Sequence, residues 1–133
     1  MKIFGIGLSK TGTTSLAQAL TALGYRTKDN PGLSRFAKGD LSSIDARLLE
    51  DHDALTDTPI PSFYHELDAK YPNARFVLTI RDKDAWLVSC KKQFTLRLAE
   101  KQNDAHKRLF MDLYGTDIFD EQKFVDGYEA FVS

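Results

Sequence analysis

Apolar and polar positions along this chain fall into short blocks that switch between a strand-like and a helix-like period. An apolar run over about Lys2 to Ile6 predicts a buried strand. After a glycine-rich stretch, Leu16, Ala19, Leu20 and Leu23 recur at helical spacing, which predicts a helix over about Thr13 to Leu23 with Gly24 as its stop. Tyr25 to Thr27 reads as a short strand, and Asp29-Asn-Pro-Gly32 as a turn. Ser42 or Ser43 is suited to cap a helix through about Leu49. Asp53 to Thr56 reads as a strand, and Pro59 and Pro61 break the chain before a helix over about Ser62 to Lys70. The continuous apolar run from Phe76 to Ile80 predicts a strand buried on both faces, as in a parallel sheet. Helical patterns then fill about Asp84 to Leu113, with a break near Asn103. Tyr114-Gly-Thr is a turn, and Asp120 caps a last helix. This alternation predicts an α/β fold, a parallel sheet with helices on both faces and a helical C-terminal half.

Ligands of such sheets bind beyond the carboxyl ends of the strands. That directs attention to Gly7–Thr14, Asp57–Pro61 and Arg81–Ser89. The first is the most telling. Gly5-Ile-Gly-Leu-Ser-Lys-Thr-Gly-Thr-Thr-Ser15 joins a strand to a helix, and such a turn cradles phosphate. Its glycines let the backbone turn tightly, successive N–H groups form an anion nest, and the helix N-terminus adds partial positive charge. Thr13, Thr14 and Ser15 add hydroxyl donors, and Lys10 adds a full charge. The alternative is a tight turn without a ligand. Gly7 and Gly12 have the spacing of a nucleoside-triphosphate loop, but Thr13 stands where that motif has lysine.

Lys10-Thr-Gly-Thr-Thr14 resembles the 5′-phosphosulfate-binding loop of the P-loop sulfotransferases, which use 3′-phosphoadenosine 5′-phosphosulfate (PAPS). The resemblance implies that Lys10 meets the bridging oxygen of the phosphosulfate. It also implies that Ser9, Thr11, Gly12, Thr13, Thr14 and Ser15 surround the 5′-phosphate. The family's 3′-phosphate site is a strand, then an arginine, then a helix carrying a serine eight residues on; Arg81 and Ser89 match it in type and spacing. Arginine offers a planar fork for phosphate oxygens and serine one further donor. Otherwise Arg81 pairs with Asp82 or Asp84 and Ser89 is a small residue at the core edge. Both can face one ligand only if the chain bends after the strand.

Ala54–Pro61 and Tyr64–Phe76 also look like the middle of this family, so the resemblance runs from about Lys2 to Tyr128. It implies a three-layer P-loop-type sheet and one sulfotransferase-like domain over residues 1–133. Family members typically continue with a glycine- and basic-rich loop that closes over the adenosine. The sequence ends at Ser133 without that loop, so the expectation is a domain shortened at its C-terminus.

Sulfuryl transfer needs in-line attack by a hydroxyl or amine, a base for its proton, and a cation at the leaving group. Lys10 is the expected cation. Asp57, directly after a buried strand, is the best-placed base; the alternative is a carboxylate that caps the turn or pairs with Lys10. Many cytosolic members carry His near this place, where Pro59 falls here. His52 and His65 carry no site signature, and Phe63 and Tyr64 read as a core face. His106 lies in a charged stretch, Lys101 to Arg108, expected to be an exposed face. Trp86 and Phe94 read as core residues.

Composition narrows the picture further. Eighteen Lys and Arg balance nineteen Asp and Glu, so no global charge draws the chain to nucleic acid or an anionic membrane. A single cysteine, Cys90, on an apparent core face excludes an internal disulfide and a cysteine-based zinc site. No His, Asp and Glu spacing suggests a metal. No segment is long and apolar enough to span a bilayer, and the N-terminus is no secretory signal, so the expected location is the cytoplasm. The expected activity is PAPS-dependent transfer to a small-molecule or carbohydrate acceptor. The rivals are a nucleotide-binding module without turnover and a small ATP-dependent kinase, against which the missing Gly-Lys speaks.

Overall fold

The computed structural model of the protein describes residues 1–94 in full, the helical backbone of 95–100, and residues 103–133. Helical pattern expected at Lys101 and Gln102 lies outside the described residues. Four parallel strands, β1 (Ile3–Gly5), β2 (Thr27–Asp29), β3 (Ala54–Thr56) and β4 (Arg75–Val77), form one sheet in the order β2-β3-β1-β4. Among the described residues six α-helices accompany them: α1 (Thr13–Ala22), α2 (Ala46–Asp51), α3 (Tyr64–Lys70), α4 (Lys83–Glu100), α5 (Asp104–Tyr114) and α6 (Glu121–Val132).

The pleat sorts the strand side chains into two layers. Ile3 and Ala54 turn toward Leu20 and Leu16 of α1. Phe4 and Leu55 turn the other way, onto Leu49, Ile60, Phe63, Leu67 and Leu109. Helices therefore cover both faces, as expected for an α/β fold. A third cluster, Leu8, Trp86, Cys90, Phe94, Tyr114, Phe124 and Tyr128, packs α4, α5 and α6 together beside the loop that leaves β1. Burial pushes the Cys90 thiol up to about 12, which makes it an inert core group. Among the described residues no helix is long and apolar enough to cross a membrane.

Several expectations shift. β4 is not buried on both faces. Among the described residues it is an edge strand paired only with β1, and Val77, Leu78 and Ile80 are 36%, 47% and 66% exposed. A continuous apolar run does not reveal how many neighbours a strand has. β2 begins at Thr27 and takes in Asp29, which was expected in the turn; the ladder to Ala54–Thr56 sets that register. The α2 cap is Asp45, which accepts from the Arg47 N–H. Ser43 is instead buried and accepts from the Ala37 N–H. On α1 the packed stripe is Thr13, Ala17 and Leu20, while Leu23 is exposed. Phe63 is buried as expected, but Tyr64 lies at the surface edge-on to Phe76.

Phe124 sits at the centre of the third cluster, fully buried and stacked on Tyr114 with ring centroids 4.0 Å apart. Phe124→Ala should therefore cost about 3–5 kcal/mol in urea denaturation, the usual range for a buried ring removed from a core. A loss below about 1 kcal/mol would show that α6 packs without it.

Candidate functional site

The loop between β1 and α1 is shaped by two glycines. A Cβ on Gly7 would lie 1.8 Å from Thr79 Oγ1 and 2.6 Å from the Thr79 carbonyl oxygen, so only glycine permits this approach to the chain leaving β4. Gly12 caps α1 at φ 96°, and Lys10 also takes a left-handed φ of 71°. The backbone N–H groups from Lys10 to Ser15 donate to no acceptor among the described residues. With the free first turn of α1 they form an open anion nest.

This loop opens into a cavity of about 630 Å³. Lys10, Gly12, Thr13, Thr14 and Ser15 line it together with Arg81 and Ser89. The chain does bend after β4. Residues 78–82 leave the sheet, Asp82 caps α4 by accepting from the Ala85 N–H, and Arg81 and Ser89 face the same space. Arg81 has no ion pair among the described residues; its Nη1 donates to the Lys10 carbonyl at 3.3 Å. The pairing with Asp82 or Asp84 is therefore not formed.

Thr11 is the exception among the expected ligand residues. Its side chain is buried and does not line the cavity; its hydroxyl donates to the Leu8 carbonyl at 2.6 Å and shares a 2.7 Å bond with the Thr79 hydroxyl. It holds the loop's shape, leaving only its backbone N–H for an anion. Ser9 lines the cavity, but its hydroxyl donates to Asp57 Oδ1 at 2.6 Å and contacts Thr58 Oγ1 at 2.9 Å. The Thr14 hydroxyl leans toward Asp29 Oδ2 at 3.4 Å.

Asp57 follows β3 at a left-handed φ of 72° and faces the cavity. Oδ1 accepts from both Ser9 Oγ and the Thr58 N–H, at 2.6 and 2.7 Å, and Oδ2 has no protein partner among the described residues. Burial raises its pKa first, and the Asp29 charge adds to that. The Ser9 and Thr58 hydrogen bonds and the Lys10 charge oppose the rise. The result is a carboxylate of increased basicity with one oxygen open.

Other lining residues carried no local signal. Asp29, Asn30 and Thr58 stand at strand ends, and Gln93 lies one helical turn beyond Ser89. His106 and Phe110, one turn apart on α5, also reach the cavity. His106 is thus half-buried rather than on an exposed face, and burial lowers its pKa. Its backbone N–H donates to Asn103 Oδ1, and its Nδ1 lies 2.8 Å from the same oxygen. Phe94 belongs to the aromatic core, as expected, and also borders the cavity. His52 and His65 do not line it. Among the described residues no three His, Cys, Asp or Glu side chains gather as a metal site.

A model of the family described as sulfotransferase domain matches residues 2–129. Among curated proteins, "Ava biosynthesis cluster protein M" of Aspergillus versicolor is 33% identical, over 67% of this chain and 41% of its own length. The chain thus spans about two fifths of the length of that relative.

The raised Asp57 carboxyl has a consequence for stability. Folding favours its protonated form, so its contribution is complete below the ordinary carboxylate range and is lost as pH rises through the raised folded value. Asn in its place keeps an acceptor for Ser9 and Thr58 and tolerates the left-handed backbone. Asp57→Asn should therefore be more stable than the parent at about pH 7, and the difference should close near pH 4. Thermal melts across this range check it; a variant less stable at neutral pH would contradict the assigned cause.

Proposed function

Because the chain belongs to the sulfotransferase domain family, we propose that its cavity binds PAPS and directs a sulfuryl group to the hydroxyl or amine of a small acceptor. PAPS, when bound, supplies an activated sulfuryl group on a bisphosphate leaving group. The observation that carries this reading is the convergence of two anion-binding segments on one cavity. The loop from Lys10 to Ser15, whose N–H groups have no acceptor among the described residues, and Arg81 with Ser89 line the same space.

The residues divide the work by their chemistry. The nest and the hydroxyls of Thr13 and Ser15 suit a 5′-phosphate, since they offer several donors with no competing protein acceptor. Arg81 and Ser89 suit a 3′-phosphate. Lys10, which lines the same cavity, would neutralise negative charge that develops on the leaving group. Asp57 Oδ2 takes the acceptor's proton. Its other oxygen is fixed by Ser9 and Thr58, which leaves one orientation for the open lone pairs. Asp29, Asn30 and Thr58 border the part of the cavity next to Asp57 and would meet the acceptor.

Calorimetric titration with adenosine 3′,5′-bisphosphate tests the reading, with ATP plus magnesium as the comparison. The bisphosphate should bind. Arg81→Ala should weaken it about tenfold to a hundredfold, the scale of a lost charged hydrogen bond. Lys10→Ala should weaken binding less and abolish turnover. Binding of ATP alone would overturn the assignment. Bisphosphate binding without turnover on any acceptor would leave a nucleotide-binding module.

A further inference from the structure

Arg81 carries the 3′-phosphate site in the reading above, yet little in its own neighbourhood holds it. It lies beyond the end of β4, where the chain has left the ladder, and its side chain is exposed. Its guanidinium has no carboxylate partner among the described residues and makes one long bond, to the Lys10 carbonyl. What fixes its backbone is a residue 47 positions away. The Arg81 N–H donates to Tyr128 Oη at 3.2 Å, and the Tyr128 hydroxyl donates to the Arg81 carbonyl at 2.8 Å. A single hydroxyl thus accepts from and donates to both main-chain groups of Arg81.

Tyr128 is itself firmly placed. It lies on α6, nearly fully buried, with its ring 4.6 Å from that of Trp86. The next residue, Glu129, pairs with Lys83 at the start of α4 at 2.9 Å, which ties α6 to the helix that follows Arg81. Trp86 in turn donates its indole N–H to the Ser9 carbonyl at 2.9 Å, at the base of the phosphate nest. The two rings in contact therefore each hold one of the two anion-binding segments.

We propose that Tyr128 is a positioning residue for the 3′-phosphate subsite: its hydroxyl sets the backbone of Arg81 so that the guanidinium meets the 3′-phosphate. The proposal rests on the assignment of Arg81 to that phosphate. A tyrosine needed only for packing would use its ring, and phenylalanine would replace it without effect on ligand discrimination. A positioning hydroxyl predicts a selective loss.

The experiment compares adenosine 3′,5′-bisphosphate with adenosine 5′-monophosphate, which lacks the 3′-phosphate, by calorimetry on the parent, Tyr128→Phe and Trp86→Phe. Thermal melts establish that each variant is folded. In the parent the bisphosphate should bind more tightly. Tyr128→Phe should weaken the bisphosphate roughly tenfold, the scale of two lost hydrogen bonds, and leave the monophosphate unchanged. Trp86→Phe keeps a ring but loses the bond to Ser9, and should weaken both ligands alike. In the Arg81→Ala background, Tyr128→Phe should have no further effect on the bisphosphate, because the two changes act through one group. Equal losses for both ligands in Tyr128→Phe, or full additivity with Arg81→Ala, would overturn the positioning role while the family reading stands. A parent that binds the two ligands equally would remove the 3′-phosphate assignment and this proposal with it.

Discussion

Gly7 and Thr79 approach so closely that no side chain fits between them, and the site depends on that contact. It joins the loop leaving β1 to the chain leaving β4. The parallel pairing of Gly5 with Val77 brings both segments off the sheet at the same level. Thr11 then bonds to Thr79, and the Lys10 carbonyl comes within reach of Arg81. Two cationic side chains and an open row of N–H groups thereby share one space. Moved apart, they would be separate surface charges of little binding value.

This arrangement carries local cost. Lys10 and Asp57 both hold left-handed backbones, a conformation that costs roughly 1–2 kcal/mol for a residue with a Cβ. Asp57 is a carboxylate held in a cavity beside a second carboxylate, Asp29. Such features persist when the surroundings over-determine them. Here the surroundings are the aromatic cluster of α4, α5 and α6, whose burial is strong but non-directional. Direction comes from two hydrogen bonds at its edge, from Trp86 to Ser9 and between Tyr128 and Arg81. The C-terminal helix is in this way part of the site although it contributes no residue to the cavity.

Much of the fold was legible because its signals are local. The α1 helix, β3 and the helix after Pro61 follow from periods and breakers that act within a few residues. β2 was displaced because Thr27-Lys-Asp29 is a polar edge strand with no apolar alternation to read. The α2 cap was misplaced because Asp40, Ser42, Ser43 and Asp45 are all competent caps within one short segment, and packing chose among them. Lys10, Arg81 and Ser89, which stand out by type and spacing, do line one cavity. The Thr11 hydroxyl faces the backbone rather than the cavity, a difference that residue type and position do not encode. The charged neighbours of His106 conceal that one face of α5 turns inward.

The sequence by itself determined the family and the residue types that the loop, Arg81 and Ser89 bring to the cavity. These rest on residue types held at fixed short separations along the backbone. The tertiary structure alone decided that β4 lies at an edge, that Asp57 Oδ2 has no partner among the described residues, and that Tyr128 grips Arg81 from 47 positions away. Each of these depends on which distant residues come into contact. The periods of hydrophobic and polar positions record which face of an element is buried, but not what it is buried against.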